Sequence, residues 1–343
     1  MTDRAPVALD AFGTDAGPDV VLQGAHLAAD DGIPVTIFGP PSLTVPEGIG
    51  LEQTTEWIGN EAEPVAAVRS TPEASVVRAA AAVAEGRCSS LVSAGSTGAT
   101  MTAALFALKR AKGVHRPALG VQIPVPAKDG APLLFLDAGA NTDVRPQHLI
   151  QFAFLGSAFS RAVLGVESPR VALLSVGEEQ KKGRGEVVEA HEALTGAEEI
   201  RFIGNLEGRD LLTGEADVVV TDGFTGNVAL KALEGTARAV ADAVRAAARS
   251  GPLAAAGGLL LRPALGGLRR TMDPNSVGGA ILLGLRGVAV VAHGSSSPEG
   301  IANAVRLADR TVRERAVERT AELLAASGAT RESLRKSPAG TAE

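Results

Sequence analysis

The chain has 343 residues, of which 40 are glycine, and a formal net charge of −6 at pH 7. This length can bury a large core, and the acidic balance disfavours a general nucleic-acid binder, which normally carries a surplus of basic residues. The only cysteine, Cys88, excludes a disulfide framework and a multi-cysteine metal site, and neither a metal-ligand set nor a dinucleotide fingerprint is evident.

Strands and helices alternate along almost the whole chain. Apolar runs predict strands that end near Phe12, Phe38, Ser93, Leu136, Ser175, Ile203, Val220 and Ala292. Helical patterns occupy residues 17–30, 72–85, 97–112, 146–165, 184–195, 226–250 and 298–325. This alternation predicts a three-layer α/β/α fold with a mostly parallel sheet. We expect one two-lobed domain over residues 1–326, with a helical insertion near 245–272 and a polar, partly disordered tail over 327–343.

Seven of the apolar runs end directly in a cluster of Gly, Asp, Asn and Ser. The segments are VALDAFGTDAGP (7–18), LVSAGSTGA (91–99), LLFLDAGANTD (133–143), VALLSVGEEQKKG (171–183), FIGNLEGRD (202–210), ADVVVTDGFTGNV (216–228) and VAVVAHGSSS (288–297). In a parallel α/β sheet the carboxyl ends of the strands form the binding crevice. We therefore expect these loops to converge on one anion-binding cleft.

The richest of these loops is TDGFTGN, over residues 221–227. It runs from a Val-rich strand into a helix, so free backbone N–H groups and small polar side chains lie where a phosphate could bind. Thr225 or Asn227 could instead serve only to cap the helix. The residues alone leave both interpretations open.

Three further loops carry the same ambiguity. The turn GEEQKKG brings two carboxylates and two amines beside a strand end, where an ammonium could stabilise charge on an oxygen, although a solvated turn is the default explanation of such a run of charges. LVSAGSTGA fits an anion site or a close-packed turn, and His293 fits a ligand-binding or a structural histidine. None of these loops alone identifies a reaction.

Taken in order, the motifs resemble those of the PlsX-type phosphate acyltransferases over about residues 6–315. The matching blocks are LDAFGTDAGP, VSAGSTGA, HRPALG, LDAGANTD, RPQHLIQFAFLGS, VGEEQKKG, IGNLEGRD, TDGFTGNVALKALEG and VGGAILLGLRGVAVVAHGSSS. The resemblance implies transfer of a fatty acyl group from acyl carrier protein to inorganic phosphate, which yields an acyl phosphate for phospholipid synthesis without a cofactor. It also implies a fold similar to the phosphotransacetylases and to the isocitrate and isopropylmalate dehydrogenases.

The resemblance also assigns site residues. By motif, Lys182 and Asn227 are the catalytic residues, and Lys181 is the neighbour that does not align. The substrate-binding residues implied are Asp10, Gly13, Asp15, Gly17, Ser96, Thr97, Gly98, Asn141, Glu178, Asn205, Glu207, Asp222, Thr225, Gly226, His293 and Ser295.

The chain departs from the family pattern at Phe12, Thr14 and Ser96. Thr14 replaces a glycine and adds a Cβ where the backbone could require a positive φ, and Ser96 is shorter than the usual asparagine. A diverged paralogue that binds acyl carrier protein or acyl phosphate without turnover therefore stays open. An NAD-dependent dehydrogenase of the isocitrate type also stays open, because its fold is related.

Two segments suggest partners. LKRAKGVHR places Lys109, Arg110, Lys112 and Arg116 at a predicted helix end, where they could dock an acidic carrier or simply complement the helix dipole. Residues 251–271 combine leucines, arginines, Pro263 and glycine pairs, which predicts two short helices. The resemblance implies a homodimer and a peripheral membrane contact at this segment, although a dimer contact would explain the leucines equally.

The expected location follows from what the sequence lacks. No uninterrupted apolar run reaches the roughly 18 residues of a membrane span, and residues 1–10 do not resemble a signal peptide. We expect a cytoplasmic protein that contacts the inner face of the plasma membrane.

Overall fold

The computed structural model describes residues 4–128, 131–271 and 276–336. Within these residues, one sheet contains β1 (Val7–Asp10), β2 (Val35–Gly39), β3 (Gly50–Gln53), β4 (Ser90–Ser93), β5 (Ala118–Pro124), β6 (Pro132–Leu136), β7 (Arg170–Ser175), β8 (Arg201–Glu207), β9 (Val218–Val220), β10 (Ala280–Leu283) and β11 (Val288–Val291). The helices are α1 (Pro18–Asp30), α2 (Pro64–Ser70), α3 (Ser75–Ala84), α4 (Thr97–Leu108), α5 (Pro146–Ala162), α6 (Gly185–Thr195), α7 (Gly223–Ala248), α8 (Pro252–Thr271), α9 (Pro298–Arg313), α10 (Ala316–Ala326) and α11 (Arg331–Lys336).

The sheet is mostly parallel, as predicted, but its two halves run in opposite directions. The strand order is β3-β2-β1-β4-β11-β10-β5-β6-β9-β7-β8. β10 is antiparallel to both β11 and β5, and β5 is antiparallel to β6. The other neighbouring pairs are parallel. The strands from β6 to β9 therefore run opposite to those from β1 to β4.

This reversal corrects the prediction of a single row of converging loops. The carboxyl ends of β1, β4 and β11 lie together on the side of the sheet where these strands end, and we call this side the first edge. The carboxyl ends of β6, β7, β8 and β9 lie on the opposite side, at the other end of the strands, and we call this side the second edge. The prediction rested on strands that all share one direction. The apolar runs do not identify β5 and β10, the two strands at which the direction changes.

Helices cover both faces of the sheet because successive strand residues point to opposite sides. Leu9 belongs to an apolar cluster with α1, α5 and α9, whereas its neighbour Ala8 belongs to a cluster with α3 and α4. In the second half, Phe135 packs in a third cluster with the first turns of α7. α4 and the start of α7 therefore cover the same side of the sheet.

Several helix boundaries differ from the prediction. The predicted helix 298–325 breaks at Arg315, whose φ is 51°, into α9 and α10, and residues 72–85 contribute only α3. α8 is one helix, not two: Pro263 removes a single backbone donor, and the surrounding alanines and leucines favour the helix. In the predicted tail, Ala329 is 2% exposed and α11 follows it, while residues 337–343 lie outside the described residues.

α7 leaves the body of the protein after its first turns. Residues 235–247 are exposed, and α8 returns beside α7, with Gly258 against Ala248. We call residues 235–271 the helical arm. None of the helices described here is long and apolar enough to cross a bilayer. The division of the chain into one two-lobed domain and a tail stays a prediction.

Candidate active site

At the first edge, a buried carboxylate holds the loop that follows β1. Asp10 is 3% exposed and accepts hydrogen bonds from Ser75 Oγ at 2.6 Å, Ser93 Oγ at 2.7 Å and the Phe12 backbone N–H at 3.1 Å. Burial raises the pKa of Asp10, and the hydrogen bonds oppose this rise. Asp10 therefore joins β1, α3 and β4 and does not face an open cleft.

The loops after β1, β4 and β11 pack on one another. A Cβ on Gly13 would lie 2.5 Å from Gly95 Cα, and the Asp15 backbone N–H donates to the Gly294 carbonyl at 2.9 Å. Ser96 Oγ accepts from the Ala99 N–H at 3.4 Å and so caps α4. The three loops form one compact unit at the first edge.

The structure also clarifies the departure at Thr14. Among the described residues, the non-glycine residues with positive φ are Lys109 and Arg315, so Thr14 is not strained. Its hydroxyl donates to the Gly17 carbonyl at 2.8 Å. The expected conflict between a Cβ and the backbone at this position is therefore wrong.

At the second edge, Asp137 organises the loop after β6. This carboxylate is fully buried, and it accepts from the backbone N–H groups of Leu119, Gly139 and Ala140 through Oδ1, at 2.9–3.2 Å. Oδ2 accepts from the backbone N–H and from Nδ2 of Asn141, both at 2.7 Å. Burial raises the pKa of Asp137 and these bonds oppose the rise. Asp137 is not among the predicted site residues, although the cluster of Gly and Asn directly after it was a usable signal.

The start of α7 rests on this loop. The Gly223 N–H donates to the Asn141 carbonyl at 2.7 Å, and a Cβ on Gly226 would overlap the Asp137 carbonyl oxygen. Asn227 lies exposed beside Gly139, since a Cβ on that glycine would be 3.9 Å from Asn227 Cβ and Cγ. The loop and the helix therefore fix the position of the Asn227 backbone.

The cap of α7 is neither of the residues considered from the sequence. Asp222 accepts from the Thr225 backbone N–H at 2.8 Å and from Thr225 Oγ1 at 2.7 Å. Arg184 Nη1 lies 3.7 Å from Asp222 Oδ2. Because Asp222 performs the capping, the side chain of Asn227 is not needed for it.

The turn that carries Lys182 is held by its backbone. The Lys182 N–H donates to the Glu179 carbonyl, and Ser175 Oγ donates to the Lys182 carbonyl, both at 2.9 Å. Asn205 Nδ2 donates to the Glu179 carbonyl at 2.9 Å, and Asn205 Oδ1 lies 2.9 Å from Nδ1 of His191. The Lys182 side chain is exposed, and among the described ion pairs none includes it. This arrangement leaves the ammonium available to an anion.

The predicted site residues thus fall into two groups. Those at the first edge are Asp10, Gly13, Asp15, Gly17, Ser96, Thr97, Gly98, His293 and Ser295. Those at the second edge are Asn141, Glu178, Lys182, Asn205, Glu207, Asp222, Thr225, Gly226 and Asn227. Ala138 and Leu230 of the second group's elements share an apolar cluster with Ala99 and Ala103 of α4. α4 and the second-edge loops therefore pack on the same side of the sheet.

The second group has the chemistry for stabilising negative charge on oxygen. A helix N-terminus, an ammonium and an amide lie on neighbouring strand exits, and donors of these kinds stabilise an oxyanion. Among the described residues, no cluster of three or more His, Cys, Asp or Glu side chains is positioned to hold a metal ion.

The overall fold is that of the phosphotransacetylases. A phosphotransacetylase from Streptococcus pyogenes superposes with a TM-score of 0.60 over 91% of this chain and 94% of that one, at 19% sequence identity. A 4-hydroxythreonine-4-phosphate dehydrogenase from Klebsiella pneumoniae superposes with a TM-score of 0.52 over 90% of this chain and 99% of that one, at 15% identity. These likenesses define an α/β enzyme fold that different reactions share.

The sequence places the chain more closely. Residues 5–319 match the family described as "Fatty acid synthesis protein", and the chain belongs to that family. It is 44% identical over 335 residues to a phosphate acyltransferase from Anaeromyxobacter dehalogenans, covering 95% of this chain and 92% of that protein. A phosphate acyltransferase from Lactococcus lactis is 44% identical over 308 residues, covering 88% and 92% of the two chains.

Proposed function

We propose that this acyltransferase moves a fatty acyl group from acyl carrier protein to inorganic phosphate and releases an acyl phosphate. The observation that carries the proposal is the contact between α7 and the loop pinned by Asp137, where the Gly226 backbone lies against the Asp137 carbonyl and Asn227 is left exposed. The family match and the names of the relatives at 44% identity support it.

The proposed reaction needs little acid or base catalysis. A phosphate oxygen attacks the thioester carbonyl carbon, the new C–O bond forms, and the C–S bond breaks with the electron pair leaving on sulfur. Phosphate is already an oxyanion, and a thiolate with a pKa of about 8.5 is a good leaving group. The main requirement is to hold two anions together and to stabilise the oxyanion that develops on the carbonyl oxygen.

Lys182 and Asn227 meet this requirement in the proposal. The Lys182 ammonium supplies positive charge, the Asn227 amide supplies a hydrogen-bond donor, and the positive end of the α7 helix dipole favours the phosphate. Asn141, Asp222 and Thr225 hold the loops through the hydrogen bonds described above. The assignment of each residue to a substrate remains part of the proposal.

The two alternatives have less support. The likeness to the dehydrogenase concerns the fold, at 15% identity, whereas the relatives named as phosphate acyltransferases are 44% identical over most of the chain. A paralogue without turnover would be under no constraint to keep both Lys182 and Asn227, and this chain has both.

We further propose that the helical arm joins two copies of the chain and touches the inner face of the plasma membrane. Val240 and Val244 lie one turn apart on α7 and are 58% and 45% exposed, while Leu253 and Leu260 of α8 are 89% and 83% exposed. Exposed apolar side chains at helical spacing are typical of an interface. In this arrangement the α7 stripe contacts the second copy and the α8 leucines contact lipid.

The reaction has a direct test. Acyl carrier protein with a labelled acyl chain is incubated with and without phosphate, and hydroxylamine is used to trap acyl phosphate. The proposal predicts thioester cleavage that depends on phosphate and a trapped hydroxamate. Equal cleavage without phosphate, or no trapped product, rejects it.

A further inference from the structure

A strongly basic pocket of about 490 Å³ lies where α4 ends. Its basic side chains are Lys109, Arg110, Lys112, Arg286 and Arg331, and Glu332 is its acidic one. All five basic residues are exposed, and the ion pairs found among the described residues include none of them. With five basic side chains and one acidic side chain, this concave surface carries an excess of positive charge, which attracts anionic ligands.

Backbone hydrogen bonds fix the shape of this basic pocket. The Ala111 N–H donates to the Gly284 carbonyl at 2.9 Å, and the Arg286 N–H donates to the Lys109 carbonyl at 3.1 Å. The Arg331 N–H donates to the Gly113 carbonyl at 2.7 Å. These bonds bring together three segments that are distant in the sequence. Arg286 Nε adds to the contact by donating to the Arg110 carbonyl at 3.1 Å.

A buried glutamine reinforces the same arrangement. Gln151 is fully buried in α5, and its Nε2 donates to the carbonyls of Gly113 and Ala329, both at 2.8 Å. Its Oε1 accepts from the His115 N–H at 2.7 Å. The segment before α11 is thereby held to the segment after α4, so Arg331 keeps its place beside Lys112.

The basic pocket is next to the second-edge site. Val114 lines it, and three residues later the Pro117 carbonyl accepts from Asn141 Nδ2 at 2.8 Å. Three residues of extended chain span at most about 11 Å. Leu283 is the last residue of β10, just before the turn that contains Arg286, and it pairs with Ala118 at the second edge of the sheet. A ligand in the pocket therefore lies within a short reach of Asn141 and the start of α7.

We infer that the basic pocket docks the acidic surface of the acyl carrier protein, and this rests on the proposed function. The carrier is acidic and delivers its acyl chain on a flexible arm, so it needs a basic surface beside the site where the thioester reacts. Arg286 and Arg331 belong to this surface although neither is near LKRAKGVHR in the sequence. Arg116 does not line the pocket, and its Nη1 donates to the Asp143 carbonyl at 3.4 Å.

Charge reversal tests the pocket. The variant with both Arg286→Glu and Arg331→Glu should raise the apparent KM for acyl carrier protein by about tenfold or more at low salt, because each reversal replaces attraction with repulsion. The effect should shrink at high salt. The variant Glu332→Gln should lower the same KM. The rate with acyl-pantetheine, a thioester that lacks the carrier protein, should stay unchanged in all of them.

Arg201→Glu is the matched control, since Arg201 is an exposed arginine at the first residue of β8, away from the second edge. An unchanged KM for the carrier in the double variant, or an equal loss with acyl-pantetheine, overturns the inference. If the wild-type enzyme makes no acyl phosphate, the proposed function fails by itself. Binding of the carrier measured by fluorescence anisotropy then still tests the pocket, and equal affinity of wild type and double variant overturns the inference.

Discussion

The variant Gly226→Ala should separate the positioning of the candidate site from overall stability. A Cβ at this position would overlap the Asp137 carbonyl oxygen and lie 3.0 Å from both the Asp137 carbonyl carbon and Thr221 Cγ2. Two of these atoms belong to the backbone of a loop held by five hydrogen bonds, so the loop cannot yield easily. The start of α7 must therefore move by about 1 Å or more, a displacement that can cost about 100-fold in rate.

The assay is phosphate-dependent formation of acyl phosphate, measured together with the free energy of unfolding. We expect kcat to fall by about 100-fold, while overpacking costs about 1–3 kcal/mol of stability. Gly235→Ala is the matched control on the same helix, because a Cβ there would meet nothing within 4 Å. It should keep full activity and gain about 0.5–1 kcal/mol of stability. A Gly226→Ala enzyme with kcat within twofold of wild type would refute this account of how Asn227 is positioned.

Three further sets of substitutions test separate parts of the protein. Lys182→Ala and Asn227→Ala should each lower kcat by about 100-fold or more with the fold unchanged by circular dichroism, whereas Lys181→Ala should be mild; a normal kcat in Lys182→Ala would make the turn a solvated surface feature. Burial, together with the nearby Arg116, His115 and Arg145, lowers the pKa of His148 from 6.5 to about 4. The unfolded chain therefore binds the proton at a higher pH than the folded protein, and the free energy of unfolding should fall as the pH drops from 6.5 towards 4. His148→Gln should reduce that fall in denaturant titrations at several pH values, and an identical pH dependence would contradict it. Leu260→Glu with Leu261→Glu should abolish sedimentation with anionic vesicles while gel filtration still shows a dimer, and the reverse result would make this part of α8 the dimer interface.

Local patterns in the sequence predicted much of the fold. Apolar runs followed by Gly, Asp and Asn predicted the ends of β1, β4, β6 and β9 to within about two residues. An apolar run is typical of a strand that is buried on both faces of the sheet, and the polar cluster marks the point where the strand ends. The same motifs carried the family resemblance, which the comparisons confirm.

The residues that pin the candidate site were harder to find. Asp222 rather than Thr225 or Asn227 caps α7, and Asp137 binds its own loop through backbone donors, so both roles depend on the path of the backbone more than on residue type. Arg286 and Arg110 are 176 positions apart in the sequence, yet Arg286 Nε donates to the Arg110 carbonyl at 3.1 Å. A spacing rule that covers a few residues contains no information about such a contact.

The sequence by itself determined the α/β class, the positions of the polar strand exits and the family. Only the tertiary structure decided that these exits divide between two edges, that the loop after β6 supports α7, and that three distant segments close the basic pocket. The physical reason lies in β5 and β10. A strand buried on both faces has the same apolar composition whichever way it runs, so its direction is set by which neighbours it pairs with and not by its own residues.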